Sequence, residues 1–260
     1  MLFICNVENT NISIGVMSGD KLLFDARIAT ACERSSDEYA LLIASLLAMH
    51  QVPVASIHGA ILASVVRPLG AILSKAVVQL LQFKPLLVGP GVKTGLNIKT
   101  DIPSQVGADI VANAVGALTL AESPLVFIDF GTATTLTGIN EKGELCGVII
   151  CPGVRSSLDA LSERAAELPS IAIDVPRHLF GKNTIDAMES GVILGHASMV
   201  DGLLDRIASA WNNNDLTIIA TGGYADKIVP HCRCKDQIRS EPHLAFWGLR
   251  KIYGLSSHQP

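Results

Sequence analysis

The sequence predicts an α/β protein with two duplicated lobes, because a polar turn between apolar strands occurs twice. A segment near the N-terminus, Ile4-Cys-Asn-Val-Glu-Asn-Thr-Asn-Ile12, has the same pattern as Ile128-Asp-Phe-Gly-Thr-Ala-Thr-Thr-Leu136. Each copy has the pattern of a strand, a tight turn and a second strand. With 49% hydrophobic and 17% charged residues, the chain has ample material for packed cores. We therefore expect lobes at residues 1–120 and 121–260.

A gapless alignment relates the two copies position by position. It places Asn6 on Asp129 and Gly15 on Gly138. The alignment continues with further matches, which are Val16 on Ile139 and Leu22 on Leu145. It predicts that the strands after the two turns correspond in register.

The remaining elements follow from apolar periodicity, caps and breakers. Ser36 is placed to cap a helix over residues 37–50, and Pro68 to open one that reaches residue 83. A third helix begins near residue 106, with Asp109 in its first turns. The other predicted elements are strands within 2–28 and at 57–66, 86–88 and 216–220, and helices at 158–167, 184–199 and 200–211.

Composition argues against several classes of partner. The formal net charge of −4 gives no basic surface for nucleic acid, and aromatic residues at 5% offer few stacking platforms for bases. No apolar run reaches the roughly 18 residues that a membrane span needs. The N-terminus lacks a basic region typical of signal peptides. We expect a cytoplasmic protein that binds neither nucleic acid nor membrane.

Six cysteines in 260 residues are too few for a disulfide scaffold. The segment Cys232-Arg-Cys234 has His231 beside it and His243 further on. A single C-x-C lacks the second spaced pair of structural zinc sites. We therefore expect ordinary thiols, with a zinc site as the minor alternative.

The duplicated turn has the chemistry of a phosphate site. Small and hydroxyl-bearing residues leave backbone N–H groups and hydroxyls that surround phosphate oxygens, and an acidic residue beside them can hold a cation. Two such turns, one in each lobe, predict a nucleotide clamped between the lobes.

Six ordered motifs extend over essentially the whole chain and closely resemble those of the type III pantothenate kinases. This family belongs to the acetate kinase, sugar kinase, Hsp70 and actin superfamily. The resemblance implies two ribonuclease H-like (actin-like ATPase) lobes, each a mixed sheet flanked by helices, with a central nucleotide cleft. The motifs are Pro90-Gly-Val-Lys-Thr-Gly-Leu96, Val106-Gly-Ala-Asp109, Ile128-Asp-Phe-Gly-Thr-Ala-Thr-Thr135, Gly147-Val-Ile-Ile-Cys-Pro-Gly153, Gly181-Lys-Asn-Thr184 and Ala220-Thr-Gly-Gly223.

The resemblance implies transfer of a phosphoryl group from ATP to the primary hydroxyl of pantothenate, the first step of coenzyme A synthesis. It implies Mg²⁺ with the ATP and a monovalent cation, K⁺ or NH₄⁺. In the family the aspartate of Gly-Ala-Asp is the general base, which here is Asp109. From position alone, an equal alternative is that Asp109 only stabilises the helix by its favourable interaction with the positive end of the helix dipole. The family also implies a homodimer that completes the substrate pocket.

The remaining site residues are carried over motif by motif. Asp129 matches the residue that binds the monovalent cation, with a magnesium ligand or a turn cap as alternatives. Thr184 matches a substrate contact and is alternatively the N-cap of its helix. The residues assigned to ATP are Asn6, Glu8, Asn9, Thr10, Asn11, Thr132, Gly222 and Gly223. Those assigned to the substrate are Thr100, Gly107, Ala108, Asp109, Ile110 and Thr184.

The chain departs from the family at four of these positions. The first turn normally reads Asp-x-Gly-Asn-Thr, but here Asn6 replaces the aspartate and Glu8 the glycine. We hypothesise that Glu8 supplies the missing carboxylate. Ile110 stands where the family usually has arginine, and Thr100 where an aromatic residue is common. These changes motivate an alternative, a weak or inactive homologue that binds ATP or regulates; a kinase with another small acceptor is a third possibility.

Overall fold

The computed structural model describes residues 1–165, 167–213 and 215–257. Residue contacts divide the chain into two compact units. The first comprises Met1–Leu120 and the C-terminal helix that begins at Leu244, and the second is Ala121–His243. The division after residue 120 coincides with the expected boundary. The C-terminal helix differs from the expectation, because it packs within the first unit.

The first unit contains a mixed sheet with the strand order β3-β2-β1-β4-β5. β1 is antiparallel to β2 and parallel to β4. The strands are β1 Leu2–Val7, β2 Asn11–Ser18, β3 Lys21–Ala29, β4 Gly59–Ser64, β5 Leu86–Leu87 and a short β6 Asn97–Ile98. The helices are α1 Ser36–Met49, α2 Arg67–Leu81, α3 Ala108–Leu120 and α7 Leu244–Ser257.

Strand β1 is buried on both faces, which explains an apolar sequence that only Asn6 interrupts. Phe3 and Cys5 belong to a core shared with α1 and α2. Ile4 belongs to a second core, which it shares with α3 and α7. Because successive side chains of a strand point to opposite faces, helices cover both faces of this sheet.

Helix α7 approaches α3 closely at two glycines. A β-carbon at Gly116 would collide with the carbonyl oxygen of Leu244, and one at Gly248 with that of Ala112. Phe246, Leu249 and Ile252 of α7 are buried in the core that contains Ile4. These contacts place α7 with the first unit, although it follows the second along the chain.

The second unit repeats this topology. Its strands run in the order β11-β10-β7-β8-β9, with β7 antiparallel to β8 and parallel to β10. The expected duplication of an actin-like α/β lobe is therefore confirmed. The strands are β7 Leu125–Phe130, β8 Ala133–Ile139, β9 Glu144–Pro152, β10 Thr217–Thr221 and β11 Ile238–Ser240, and the helices are α4 Val154–Arg164, α5 Thr184–Trp211 and α6 Ala225–Ile228.

The gapless alignment of the two copies fails just after the first turn. Asn6 pairs with Ser13 across its hairpin, whereas its counterpart Asp129 pairs with Thr135. The first turn is therefore one residue longer, and the strand after it, which includes Gly15, shifts by one position. The sequence carried a signal of this shift, because the gapless alignment sets apolar Ile14 on polar Thr137 and so puts the two alternations out of phase.

A β-bulge occurs at the equivalent place in each unit, and the two copies realign in the turn that follows it. The bulges lie between Val16 and Met17 and between Gly138 and Ile139. Gly138 thus corresponds to Val16 rather than Gly15. Leu22 and Leu145 pair with the bulge residues Met17 and Ile139, so that part of the alignment holds.

Two helix predictions need correction. Helix α1 is capped by Ser35, not Ser36, since the Ser35 hydroxyl accepts from the Glu38 amide and the Glu38 carboxylate accepts from the Ser35 amide. The helices expected at 184–199 and 200–211 form the single helix α5. Its buried residues recur at the spacing of Val192, His196, Val200 and Leu204, so nothing interrupts it. The helix expected at 158–167 is α4, and residue 166 lies outside the described residues.

Candidate functional site

The first turn follows the carboxyl end of β1 and is held by Thr30, the residue after β3. The Glu8 amide donates to the Asn11 carbonyl at 2.9 Å. The Thr30 amide donates to the Thr10 carbonyl at 3.0 Å, and the Thr30 hydroxyl donates to the Glu8 carbonyl at 2.7 Å. Asn9, Thr10 and Asn11 are exposed. Backbone bonds therefore fix the loop while its polar residues face solvent, and no sequence signal pointed to Thr30.

The two substituted positions of this turn contact each other. Asn6 is buried, and its Nδ2 donates to Glu8 Oε1 at 2.8 Å. Asn6 Oδ1 is buried without a hydrogen-bond partner among the described residues. The unusual asparagine and the unusual glutamate thus form one hydrogen-bonded pair.

The proposed base lies at the start of α3. Asp109 is in the first helical turn, and a β-carbon at Gly107 would collide with its Oδ1. The same β-carbon would lie 3.5 Å from Val65, whose amide donates to the Val7 carbonyl at 3.1 Å. Asp109 therefore belongs to the edge of the sheet where β1 and β4 end, which is also the edge that carries the first turn.

Burial raises the pKa of Asp109 above its ordinary value. Backbone hydrogen bonds oppose this shift, including the one from the Ile110 amide to Oδ1 at 2.7 Å. The helix N-terminus favours the carboxylate as well, so desolvation outweighs two stabilising effects. A carboxylate with a raised pKa is a stronger proton acceptor, as a general base requires.

The other substrate positions surround this residue in the chain. Ala108 is the first residue of α3, and Ile110 is half-buried beside Asp109. Thr100 is half-buried, and its hydroxyl has no hydrogen-bond partner among the described residues. The structure therefore groups Gly107, Ala108, Asp109 and Ile110 at one helix terminus.

The second turn is built from three segments of the second unit. Asp129 ends β7 and pairs in register with Thr221 at the end of β10. A β-carbon at Gly222 would collide with Asp129 Oδ1, and one at Gly131 would lie 3.4 Å from it. Gly222 has a φ of +93°, which a residue with a side chain rarely adopts. The Asp129 carboxylate thus lies between the turn and the Gly222-Gly223 segment.

Helix α4 supports the exposed residue of this turn. Thr132 is exposed, and its carbonyl accepts from the Ser156 hydroxyl at 2.9 Å. Gly153 packs against the same carbonyl so closely that a β-carbon there would collide with it. Sequence reasoning assigned no role to Ser156 or Gly153. The glycine of the Gly147–Gly153 motif was the available signal, since close packing requires it.

Thr184 is the first residue of α5, in the second unit, and its side chain is exposed. It is not the N-cap. Asn183 caps the helix by accepting from the Asp186 amide at 2.9 Å, and its own Nδ2 donates to the Asp186 carboxylate. The capping alternative for Thr184 is therefore wrong. Thr184 lines a groove of about 550 Å³ together with Gly181 and Met188.

The cysteine segment 232–234 is tied to α5 by Asp201. Both carboxylate oxygens of Asp201 accept from the Arg233 amide at 3.0 Å. Burial raises the pKa of the Cys232 thiol to about 12, which disfavours the thiolate that zinc requires. Among the residues the structure describes, no group of three or more His, Cys, Asp and Glu side chains is placed to hold a metal.

No described helix is long and apolar enough to cross a membrane.

Each unit carries polar groups of the kind that bind phosphate. The first has a fixed polar turn and a half-buried carboxylate, and the second has a turn with an acidic residue against two glycines. Phosphoryl transfer needs these functions: polar groups that hold phosphates and a base for the attacking hydroxyl.

Comparison with known proteins assigns the family. The family model for type III pantothenate kinase matches residues 2–206. This chain belongs to the type III pantothenate kinase family. A type III pantothenate kinase from Geobacillus sp. strain WCH70 is 42% identical over 97% of this chain and 97% of its own. One from Geotalea daltonii is 38% identical over 97% of this chain and 98% of its own.

Solved structures bear on the fold of this family member. The activator of the 2-hydroxyisocaproyl-CoA dehydratase from Clostridium difficile, solved with bound ADPNP, matches with a TM-score of 0.58 at 13% identity. The match covers 98% of this chain and 95% of that one. At this identity the match supports the actin-like fold alone. The kinase fold and family expected from the motifs are both confirmed.

Proposed function

We propose that this chain is an ATP-dependent kinase that phosphorylates the primary hydroxyl of pantothenate to 4'-phosphopantothenate. The observation that carries the proposal is the half-buried Asp109 carboxylate at the N-terminus of α3, on the sheet edge that also carries the first turn. Family membership supports pantothenate as the acceptor. A cytoplasmic location and a homodimer that completes the substrate pocket belong to the same proposal.

Each group is assigned a role. Asp109 accepts the proton of the attacking hydroxyl, and Gly107, Ala108, Ile110, Thr100 and Thr184 contact pantothenate. The turn of Asn9, Thr10 and Asn11 and the turn of Thr132 bind the phosphates of ATP. Gly222 and Gly223 allow close approach of the adenosine, because they lack side chains.

The cations of the proposal fit the chemistry of the side chains present. Mg²⁺ and K⁺ prefer oxygen ligands, which Glu8 and Asp129 offer beside the two turns. Bound Mg²⁺ would neutralise phosphate charge. Asp129 would hold the monovalent cation, K⁺ or NH₄⁺, and its carboxylate lies against the backbone of the second turn. A shared cleft between the lobes stays a prediction.

The decisive experiment is an assay with purified protein, ATP, Mg²⁺, K⁺ and pantothenate, read by mass spectrometry of phosphopantothenate. We expect product with the wild-type chain, a lower rate when Na⁺ replaces K⁺, and almost none with Asp109→Asn. Full activity of Asp109→Asn would reject the assigned base.

A second candidate is a homologue that binds ATP without turnover. The paired substitutions Asn6 and Glu8 and the loss of a cation at Ile110 favour it. ATP binding by calorimetry without any phosphopantothenate would establish this alternative. Phosphorylation of another small alcohol in a coupled ADP assay would instead identify a different acceptor.

A further inference from the structure

The hydrogen bond between Asn6 and Glu8 fixes the orientation of both side chains. A carboxylate only accepts hydrogen bonds, so the Asn6 atom that faces Glu8 Oε1 at 2.8 Å must be the Nδ2 donor. The other amide atom, Oδ1, then has no partner among the described residues. The Asn6 side chain is therefore oriented so that Nδ2 pairs with Glu8 while Oδ1 stays unpaired.

An unpaired buried acceptor is costly and needs an explanation. Leaving such a group unsatisfied costs its desolvation free energy without a compensating hydrogen bond, and native structures retain few of them. An apolar residue at position 6 would avoid this cost, because the neighbouring strand residues are buried apolar side chains. Asparagine instead provides a donor that an apolar residue lacks, and the acceptor of that donor is Glu8.

The backbone of Glu8 is fixed independently. Its amide donates to the Asn11 carbonyl, and its carbonyl accepts from the Thr30 hydroxyl. The Asn6 amide then restrains the side chain as well. Glu8 is half-buried within the turn, so its carboxylate is held beside the groups that would receive the phosphates.

Charge explains why the two substitutions occur together. An aspartate at position 6 would bring a second carboxylate to the hydrogen-bonding distance of Glu8, where like charges at low dielectric repel strongly. With Glu8 present, position 6 requires a neutral donor. With glycine at position 8, position 6 would itself have to supply the carboxylate.

We propose that Glu8 provides the carboxylate that faces the divalent cation of the bound nucleotide, and that Asn6 is the residue that positions it. The carboxylate of the first turn has thus moved from position 6 to position 8. This inference rests on the proposed function only in requiring a bound metal nucleotide. It does not require pantothenate as the acceptor.

The test measures metal binding directly. Electron paramagnetic resonance of Mn²⁺ titrated into protein saturated with ADP reports metal affinity, and calorimetry of ADP in EDTA reports metal-free nucleotide affinity. The variants are Glu8→Gln, Asn6→Asp, Glu8→Gly and the double variant Asn6→Asp/Glu8→Gly. Glu33→Gln is the matched control, because Glu33 is an exposed carboxylate of the same unit.

We expect Glu8→Gln to weaken Mn²⁺ binding by about 10-fold or more, as the loss of a supporting carboxylate does elsewhere. Metal-free ADP should bind at least as tightly, because a negative charge beside the phosphates is gone. Glu33→Gln should change neither value. An Mn²⁺ affinity for Glu8→Gln equal to that of Glu33→Gln would overturn the role of Glu8.

The positioning role of Asn6 predicts a coupled effect. Asn6→Asp without metal should lower the melting temperature by about 3 °C or more, and Mn²⁺ should restore it, since a cation relieves the repulsion between the two carboxylates. The double variant should return to near wild-type stability and Mn²⁺ affinity. Purely additive effects of Asn6→Asp and Glu8→Gly, or no recovery of Asn6→Asp with Mn²⁺, would overturn it.

The proposed function and this inference fail in different ways. Tight Mn²⁺·ADP binding that depends on Glu8, without phosphopantothenate formation, would reject the kinase and retain the inference. Phosphopantothenate formation with Glu8→Gln at unchanged Mn²⁺ affinity would reject the inference alone. A wild-type chain that binds no nucleotide would overturn both.

Discussion

At the scale of single residues, the burial of Asp109 favours its activity as a base but lowers the stability of the fold. Burial raises its pKa, so the ionised carboxylate costs the folded state free energy whenever the pH exceeds that pKa. This cost disappears as the pH falls through the folded pKa, because the protonated group is neutral. The residue that helps the reaction as a base therefore weakens the fold at neutral pH.

Asp109→Asn should separate the two effects. We expect kcat to fall by about 10²–10⁴-fold, the usual contribution of a general base. We also expect the free energy of unfolding to exceed that of the wild type at pH 8, with the difference shrinking towards pH 4. Urea titrations at several pH values measure the second effect. Glu122→Gln, at an exposed carboxylate, should show neither; a pH-independent loss of stability in Asp109→Asn would contradict the assignment.

The second turn requires glycine at position 222, because both the backbone angle and the surrounding atoms exclude a side chain. An alanine there would need a φ of +93° and would place its β-carbon against Asp129 Oδ1 and the Phe130 backbone. Gly19 is a matched control, because its φ of +58° is also left-handed but open space surrounds it.

We expect Gly222→Ala to destabilise the protein by more than the roughly 1–2 kcal/mol that the left-handed conformation alone costs. Gly19→Ala should cost about that amount and leave ADP affinity unchanged, whereas Gly222→Ala should weaken ADP binding. Thermal melts and calorimetry measure these quantities. Equal losses in the two variants would show that the packing of Gly222 on Asp129 contributes nothing.

At the scale of secondary-structure elements, the cap of α1 shows how a local pattern can be misread by one residue. Ser35 and Ser36 are adjacent, and either can precede an acidic first turn. Only Ser35 has a glutamate three residues later, which is the spacing of a capping box. The decisive signal was present in the sequence.

Ser35→Ala should therefore cost about 1 kcal/mol, the usual value for a lost N-cap. Ser36→Ala should cost less, because the structure shows no capping bond from its hydroxyl. Chemical denaturation of the two variants side by side measures the difference. A larger loss from Ser36→Ala would contradict the observed cap.

The hairpins, the helix that carries Asp109 and both polar turns were predictable because their signals are local. Alternating apolar residues define the strands, and small polar residues define the turns. The extra residue in the first turn also left a signal, since the gapless alignment sets apolar Ile14 on polar Thr137. The membership of α7 in the first unit was not predictable, because it depends on glycine contacts between Gly116, Gly248 and segments more than 100 residues apart in the chain.

At the scale of the whole molecule, each unit has its own core. Phe3 and Ile4 lie in two cores of the first unit, and Ile128 lies in that of the second. The two tryptophans divide between the units as well. Trp247 lies in α7 of the first unit, and Trp211 packs on Gly138 in the second. Each tryptophan therefore reports on one unit.

This division allows the packing of α7 on α3 to be tested within the intact chain. Gly248→Ala forces a β-carbon into the carbonyl of Ala112, so α7 must move away from the helix that carries Asp109. We expect the fluorescence transition of Trp247, isolated in a Trp211→Phe background, to shift to lower urea. The transition of Trp211, isolated with Trp247→Phe, should shift less, because its core contains neither α3 nor α7. The control is Gly254→Ala, because open space surrounds the β-carbon that this change adds to α7. It should leave both transitions in place.

Equal shifts of the two tryptophan transitions with Gly248→Ala would mean that the units unfold as one cooperative body. An unchanged Trp247 transition would contradict the close approach of the two helices.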